Sequence, residues 1–141
     1  MKVGVPKETL PGERRVALVP HVLAKLKAAG IDVLVERGAG TAASFTDAMF
    51  EEAGATLVAG DEAWSQADCV VKVQKPAAAE VGKLRAGQAL VGLLTPLIDP
   101  ALMQTLADHG VTAISLDAIP RTLSRAQSMD GTMTASGFSG R

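Results

Sequence analysis

The chain has 141 residues, 48% of them hydrophobic and 21% charged, and its 14 Lys and Arg against 15 Asp and Glu leave a net charge of −1. That composition excludes a disordered chain, which would be poorer in apolar residues, and it offers no basic footprint for nucleic acid. A single cysteine excludes an internal disulfide, the start MKVGVPKETLPGERR lacks the apolar stretch of a secretory signal, and the longest apolar run, residues 89–94, is too short to cross a bilayer.

In chain order, residues 2–5 read as a short strand closed by Pro6. A polar loop follows over 7–14, with Pro11-Gly12 as its turn. Residues 15–19 are apolar and could be extended. Pro20 suits a helix first turn, and Val22, Leu23, Leu26 and Ala29 recur at helical spacing up to Gly30. Residues 31–36 read as a strand. After the loop 38–44, Thr46 caps a helix through residue 53 with Asp47 in its first turn. Strands are then expected at 56–58, 68–73, 88–94 and 111–116, and helices at 61–66, 77–84 and 100–109. With only Phe45, Phe50, Phe138 and Trp64 as aromatics, the core must be aliphatic.

Strands apolar on both faces lie between helix layers in a mainly parallel sheet. The expected fold is therefore α/β: a three-layer, doubly wound, Rossmann-like or flavodoxin-like sheet of about six strands with right-handed crossovers. Residues 131–141 are small, polar and glycine-rich and read as a flexible tail, so the domain is expected over 1–130. A strand–helix fold that stops on a strand is expected to lack the C-terminal helix that would complete it.

Four segments carry candidate chemistry. Gly38-Ala39-Gly40-Thr41-Ala42-Ala43 fits G-x-G-x-x-A, but a helix starting at Thr46 comes too late to present its N-terminus to a pyrophosphate, and a flexible loop is the favoured reading. In the loop from Lys7-Glu8 to Arg14-Arg15, one arginine could enter a cleft at the strand ends and grip a carboxylate or phosphate; a solvated pair with Glu8 or Glu13 is the favoured alternative. In VVKVQKP, Lys72 interrupts an apolar strand and shares a face with Gln74, while Lys75 follows at the end where α/β ligands bind; a ligand role and a merely paired amine are both open. The stretch PRTLSRAQSMD offers Arg121, Ser124, Arg125, Gln127, Ser128 and Asp130, either as an exposed connection or as a loop presented to a polar ligand. His21 and His109 suggest no chemistry, Cys69 reads as packing, and no metal-ligand spacing occurs.

Together, MKVGVPKE…GERRVALVP, ADCVVKVQKP and IPRTLSRAQSMD resemble the N-terminal domain shared by alanine dehydrogenases and proton-translocating NAD(P) transhydrogenase alpha subunits, over about residues 1–130. In the alanine dehydrogenase pattern KVKEP, the substrate-binding lysine falls on Gln74 here and the active-site histidine on Thr95; only Arg15 matches. KVQKP and SRAQSMD are closer to the transhydrogenase alpha subunit. That resemblance implies NAD(H) on this subunit, NADP(H) on another component, and hydride transfer coupled to proton passage through a membrane part. It implies that Gln127 and Asp130 are catalytic and border the nicotinamide together with Arg121 or its rival Arg125, with Arg15, Lys72 and Lys75 as pocket candidates. It further implies a homodimer in the cytoplasm, peripheral to the membrane, docked on membrane-embedded and NADP-binding components. The sequence departs from the family after Asp130, and the NAD-binding Rossmann domain is expected to be absent. The chain alone is therefore expected to hold no NAD(H) and to be inactive. The alternatives are an alanine dehydrogenase N-terminal domain and a non-catalytic dimerisation or docking fragment.

Overall fold

The computed structural model describes residues 1–94 and 99–116. Six strands, β1 (Lys2–Val5), β2 (Asp32–Glu36), β3 (Thr56–Val58), β4 (Cys69–Gln74), β5 (Ala89–Leu93) and β6 (Thr112–Ser115), alternate with five α-helices. The helices are α1 (Leu23–Ala28), α2 (Asp47–Glu52), α3 (Glu62–Ser65), α4 (Ala78–Val81) and α5 (Pro100–Asp108). The strands form one sheet in the order β3-β2-β1-β4-β5-β6, and every neighbouring pair is parallel. The doubly wound reading of the sequence therefore holds.

Alternation along the strands sorts the core into two faces. Val3, Val5, Val33, Val35, Val71 and Val73 point to the side covered by residues 16–19, α1 and Phe50 of α2. Val70, Leu90 and Leu94 point to the other, where they meet Trp64, Val81 and Leu106 from α3, α4 and α5. A Cβ on Gly4 would land on the Ala63 carbonyl oxygen, so glycine in β1 is what lets the α3 backbone lie directly on the sheet. Residues 15–19 are not a strand. Val16–Val19 are buried without joining a ladder, and they plug the sheet face ahead of a 3-10 turn at Pro20–Val22.

Helix starts follow their caps. Thr46 Oγ1 accepts from the Met49 N–H at 3.2 Å, and Asp99 Oδ1 accepts from the Leu102 N–H at 3.1 Å with Pro100 as the first helical residue. No described helix is long and apolar enough to cross a membrane.

Strand order reverses between β1 and β4. β1 pairs with β2 over all four residues, up to Val5 opposite Val35. It pairs with β4 only at Val3–Cys69 and Gly4–Val70. Beyond Gly4 the two strands part, and a crevice opens at their C-terminal ends, where open α/β sheets place their ligands. On the side of α1 and α2, the flank over β5 and β6 carries half-buried Ala89, Val91 and Leu93, and Ile114 is 43% exposed.

Candidate functional site

Two loops face each other across the crevice, one running from β1 to Pro20 and one joining β4 to α4. Between them lies Lys72, whose side chain is 1% exposed. Its strand position follows from the apolar run around it; its burial follows from partners. Lys72 Nζ sits 3.4 Å from Glu8 Oε1 and 3.5 Å from Glu80 Oε2, with the Trp64 ring centroid 5.9 Å away. A buried ammonium persists only when charge and hydrogen bonds compensate its lost hydration.

Glu8 does more than neutralise. Its two carboxylate oxygens accept from the backbone N–H groups of Val73 at 3.0 Å and Gln74 at 3.1 Å. Those donors face the side that β1 has left, so the Glu8 side chain stands in for the missing strand. Burial pushes the Glu8 carboxyl above its ordinary value, against the opposing pull of Lys72 and the two N–H donors. Glu80 accepts from the Ala77 N–H at 2.8 Å and from Thr9 Oγ1 at 3.4 Å, tying the start of α4 to the β1 loop.

Closer to solvent, Arg15 is held by Glu13, with Nε to Oε1 at 2.6 Å and Nη2 to Oε2 at 3.3 Å. Gln74 Nε2 donates to the same Glu13 at 3.5 Å. The structure thus pairs Arg15 with Glu13, one of the two acids in the alternative the sequence favours, and sets Gln74 beside that pair. Lys75 leaves the strand and its amine bonds Asp99 Oδ2 at 2.9 Å, at the mouth of a groove between α4 and α5 lined by Val81, Leu102 and Thr105. Lys75 and Asp99 are both partly solvated, and Asp99 is pulled below the ordinary carboxylate value by Lys75 first and by the Leu102 N–H next.

The loop at residues 38–44 departs from its expected flexibility. The Gly38 N–H donates to Asp47 Oδ1 at 2.8 Å, and Gly40 accepts through its carbonyl from Ala43 at 3.0 Å and Phe45 at 2.9 Å. A Cβ on Gly40 would lie 2.5 Å from the Phe50 ring and 2.9 Å from Phe45 Cβ. The pattern G-x-G-x-x-A here serves aromatic packing, and the donor that a phosphate would need is already used. Cys69 is buried, and burial followed by the Asp68 charge raises its thiol, in keeping with a packing role. His109 Nδ1 lies 2.9 Å from the Thr105 carbonyl oxygen in the last turn of α5. Among the described residues no group of three or more His, Cys, Asp or Glu could hold a metal ion. Thr95, Arg121, Arg125, Gln127 and Asp130 lie outside the described residues.

Sequence reasoning missed Glu8 as an anchor, and it missed Glu80 altogether. A usable signal existed for Glu80, which stands three residues after Ala77, itself next to Pro76, where a carboxylate reaches back to the first free N–H of a helix.

A parallel sheet whose reversal point carries a charged, cross-braced crevice defines a Rossmann-like α/β domain. The family model for the alanine dehydrogenase/PNT N-terminal domain matches residues 4–138, and the chain belongs to that family. An NAD(P) transhydrogenase alpha-subunit protein of Rhodospirillum rubrum is 42% identical over 146 residues, covering 99% of this chain and 38% of that protein. The alanine dehydrogenase of Mycobacterium tuberculosis is 42% identical over 120 residues, covering 84% of this chain and 32% of that protein. Among solved structures, the transhydrogenase from Sinorhizobium meliloti superposes with a TM-score of 0.87 at 35% identity, over 92% of this chain and 39% of that one. An L-alanine dehydrogenase superposes at 0.81 with 37% identity, over 84% of this chain and 33% of that one. The chain thus spans 38% and 32% of the lengths of these two curated relatives.

Proposed function

We propose that this chain serves NAD(H) in a transhydrogenase alpha subunit, as the domain that borders the nicotinamide while hydride passes from NADH to NADP on another component. The observation that carries this reading is the charge pairing around the crevice. Arg15 faces Glu13, Lys72 faces Glu8 and Glu80, and Lys75 faces Asp99. Position 74, which would need a lysine to grip a free α-keto acid, is a neutral glutamine. A carboxylate substrate calls for an uncompensated cation, whereas an uncharged carboxamide does not. The extent of likeness points the same way, since the transhydrogenase relative matches 99% of the chain and the alanine dehydrogenase 84%.

On this reading Gln127 and Asp130, with Arg121 or Arg125, line the nicotinamide, and Arg15 and Gln74 form the facing wall. The pyrophosphate is gripped by a glycine-rich helix N-terminus of a separate dinucleotide-binding domain, with which residues 1–130 act jointly. The assembly is a homodimer at the cytoplasmic side of a membrane, docked on membrane-embedded and NADP-binding components that carry the proton coupling.

The test is a chimera in which this chain replaces the matching segment of the Rhodospirillum rubrum protein. It is expected to transfer hydride between NADH and the NADP-binding component and to show no pyruvate-dependent NADH oxidation. Pyruvate-dependent oxidation, or a folded chimera without hydride transfer, would overturn the reading. Calorimetric titration of the chain alone is expected to show no micromolar NADH binding.

A further inference from the structure

The loop leaving β1 is fourteen residues long from Pro6 to Val19, and its exposed middle needs a fastening. Its ends are fixed by burial of Pro6 and of Val16–Val19. Near its start the Lys7 N–H donates to Glu36 Oε2 at 2.6 Å, which ties it toward β2. Only the side chains of Glu8 and Thr9 tie the described loop across to β4 and α4 before Glu13 and Arg15 are reached.

On that opposite side β4 carries one residue more than β5 between Val71 and Gln74, a bulge that shifts the register. The bulge turns two successive N–H groups, of Val73 and Gln74, toward the gap. With the Lys72 ammonium beside them they present three donors converging on one small anion, the arrangement that an oriented pair of amides and a cation make for a carboxylate. Both Glu8 oxygens accept there, as an ionised carboxylate does.

We propose that the Val73 and Gln74 N–H groups and Lys72 Nζ form a carboxylate-binding cradle that Glu8 fills from within the chain, which makes Glu8 the positioning residue that sets Glu13 and Arg15 against Gln74. The cradle binds a carboxylate as a class, and the tether decides which one occupies it. This inference concerns the shape of the crevice and stands independently of whether the crevice serves NAD(H) or an α-keto acid.

The test uses the whole 141-residue chain and amide NMR. Glu8→Ala is expected to move the Val73 and Gln74 amide protons upfield and to release the Arg15 Nε–H into fast exchange with water. Titrated acetate or formate is expected to restore the Val73 and Gln74 signals saturably but not the Arg15 Nε–H, because a free carboxylate fills the cradle without tethering the loop; chloride at equal ionic strength restores none of them. Generic loss of packing would not be repaired by a small carboxylate. Unchanged Val73 and Gln74 amides in Glu8→Ala would overturn the proposal, as would changed Val73 and Gln74 amides that acetate leaves alone. If Glu8→Ala does not fold, the wild-type chain decides. On acidification the Val73 and Gln74 amide protons must follow the Glu8 side-chain carboxyl carbon with one midpoint. Amides that move without the Glu8 carboxyl carbon, or stay still while it titrates, would refute it.

Discussion

Gln88 donates from Nε2 to the backbone carbonyl of Trp64 at 2.6 Å, linking the start of β5 to the end of α3. The same amide nitrogen reaches Ala67 O at 2.8 Å, and its oxygen accepts from the Arg85 N–H at 2.7 Å. A fully buried glutamine thus closes the carbonyl end of a helix only four residues long. Gln88→Leu keeps the volume and strands the Trp64 carbonyl and the Arg85 N–H. The orphaned Trp64 carbonyl is buried and costs about 1–3 kcal/mol, whereas the Arg85 N–H lies on an exposed residue, so urea denaturation is expected to show a loss of about 1–3 kcal/mol with an unchanged m-value.

Lys72→Met should be worse. It leaves Glu8 and Glu80 buried with no counter-charge, and breaking a buried ion pair from one side costs about 3–5 kcal/mol. Adding Glu80→Gln to Lys72→Met is expected to recover some of that loss, because one uncompensated carboxylate disappears. Equal denaturation midpoints for the single and double variants would contradict the pairing.

Two carboxylates give opposite pH signatures. Glu8 has a folded-state pKa above its ordinary value near 4.5, so the folded chain binds more protons and the stability Glu8 contributes falls as pH rises from 4.5 through the raised value. Asp99 has a folded-state pKa below its ordinary value near 3.8, so its contribution is present above 3.8 and is lost as pH falls through the lowered value. Glu8→Gln is expected to flatten the decline on the weakly acidic side, and Asp99→Asn the acid-induced loss. Thermal melts from pH 3 to pH 7 would read both, the window being about one unit below and a few units above these ordinary values.

Gly40→Ala tests the glycine pattern at residues 38–43. Because the added methyl would press on Phe50 and Phe45, overpacking of about 1–3 kcal/mol is expected. In the Rhodospirillum rubrum chimera the same substitution is expected to leave NADH binding unaffected. A variant of normal stability with altered coenzyme binding would make this loop a ligand site after all.

Gln74→Lys places a second cation beside the Glu13–Arg15 pair. The net charge of that trio changes from zero to +1, and pyruvate is expected to bind more tightly than it does to the parent chain. NMR titration reads the outcome directly.

The alternating architecture was legible because period and punctuation agree: apolar strands, helical stripes, and Thr46 and Gly54 where a helix starts and ends. Residues 15–19 looked extended because burial without a ladder leaves the same apolar signature as a strand. Lys72 stood out as an amine inside an apolar run, but its partners did not. Glu8 lies 65 residues from the Val73 N–H it accepts, and Asp99 lies 24 from Lys75, separations that only the sheet topology closes. The loop at 38–44 read as mobile because glycine content reports freedom in isolation, whereas here Phe45 and Phe50 use the missing side chain of Gly40 as their seat. Glu80 carried a capping signal three residues after Ala77, but its contact with Lys72 appears only once α4 is set beside the crevice.

The divergence of β1 from β4 after Gly4 has a consequence for how such a scaffold diversifies. Its gap is spanned by main-chain donors and one tethered acid, so the backbone at residue 74 holds its place whatever side chain it bears. A single codon change there re-tunes the local potential while the architecture stays put, and new chemistry can arise without a new fold.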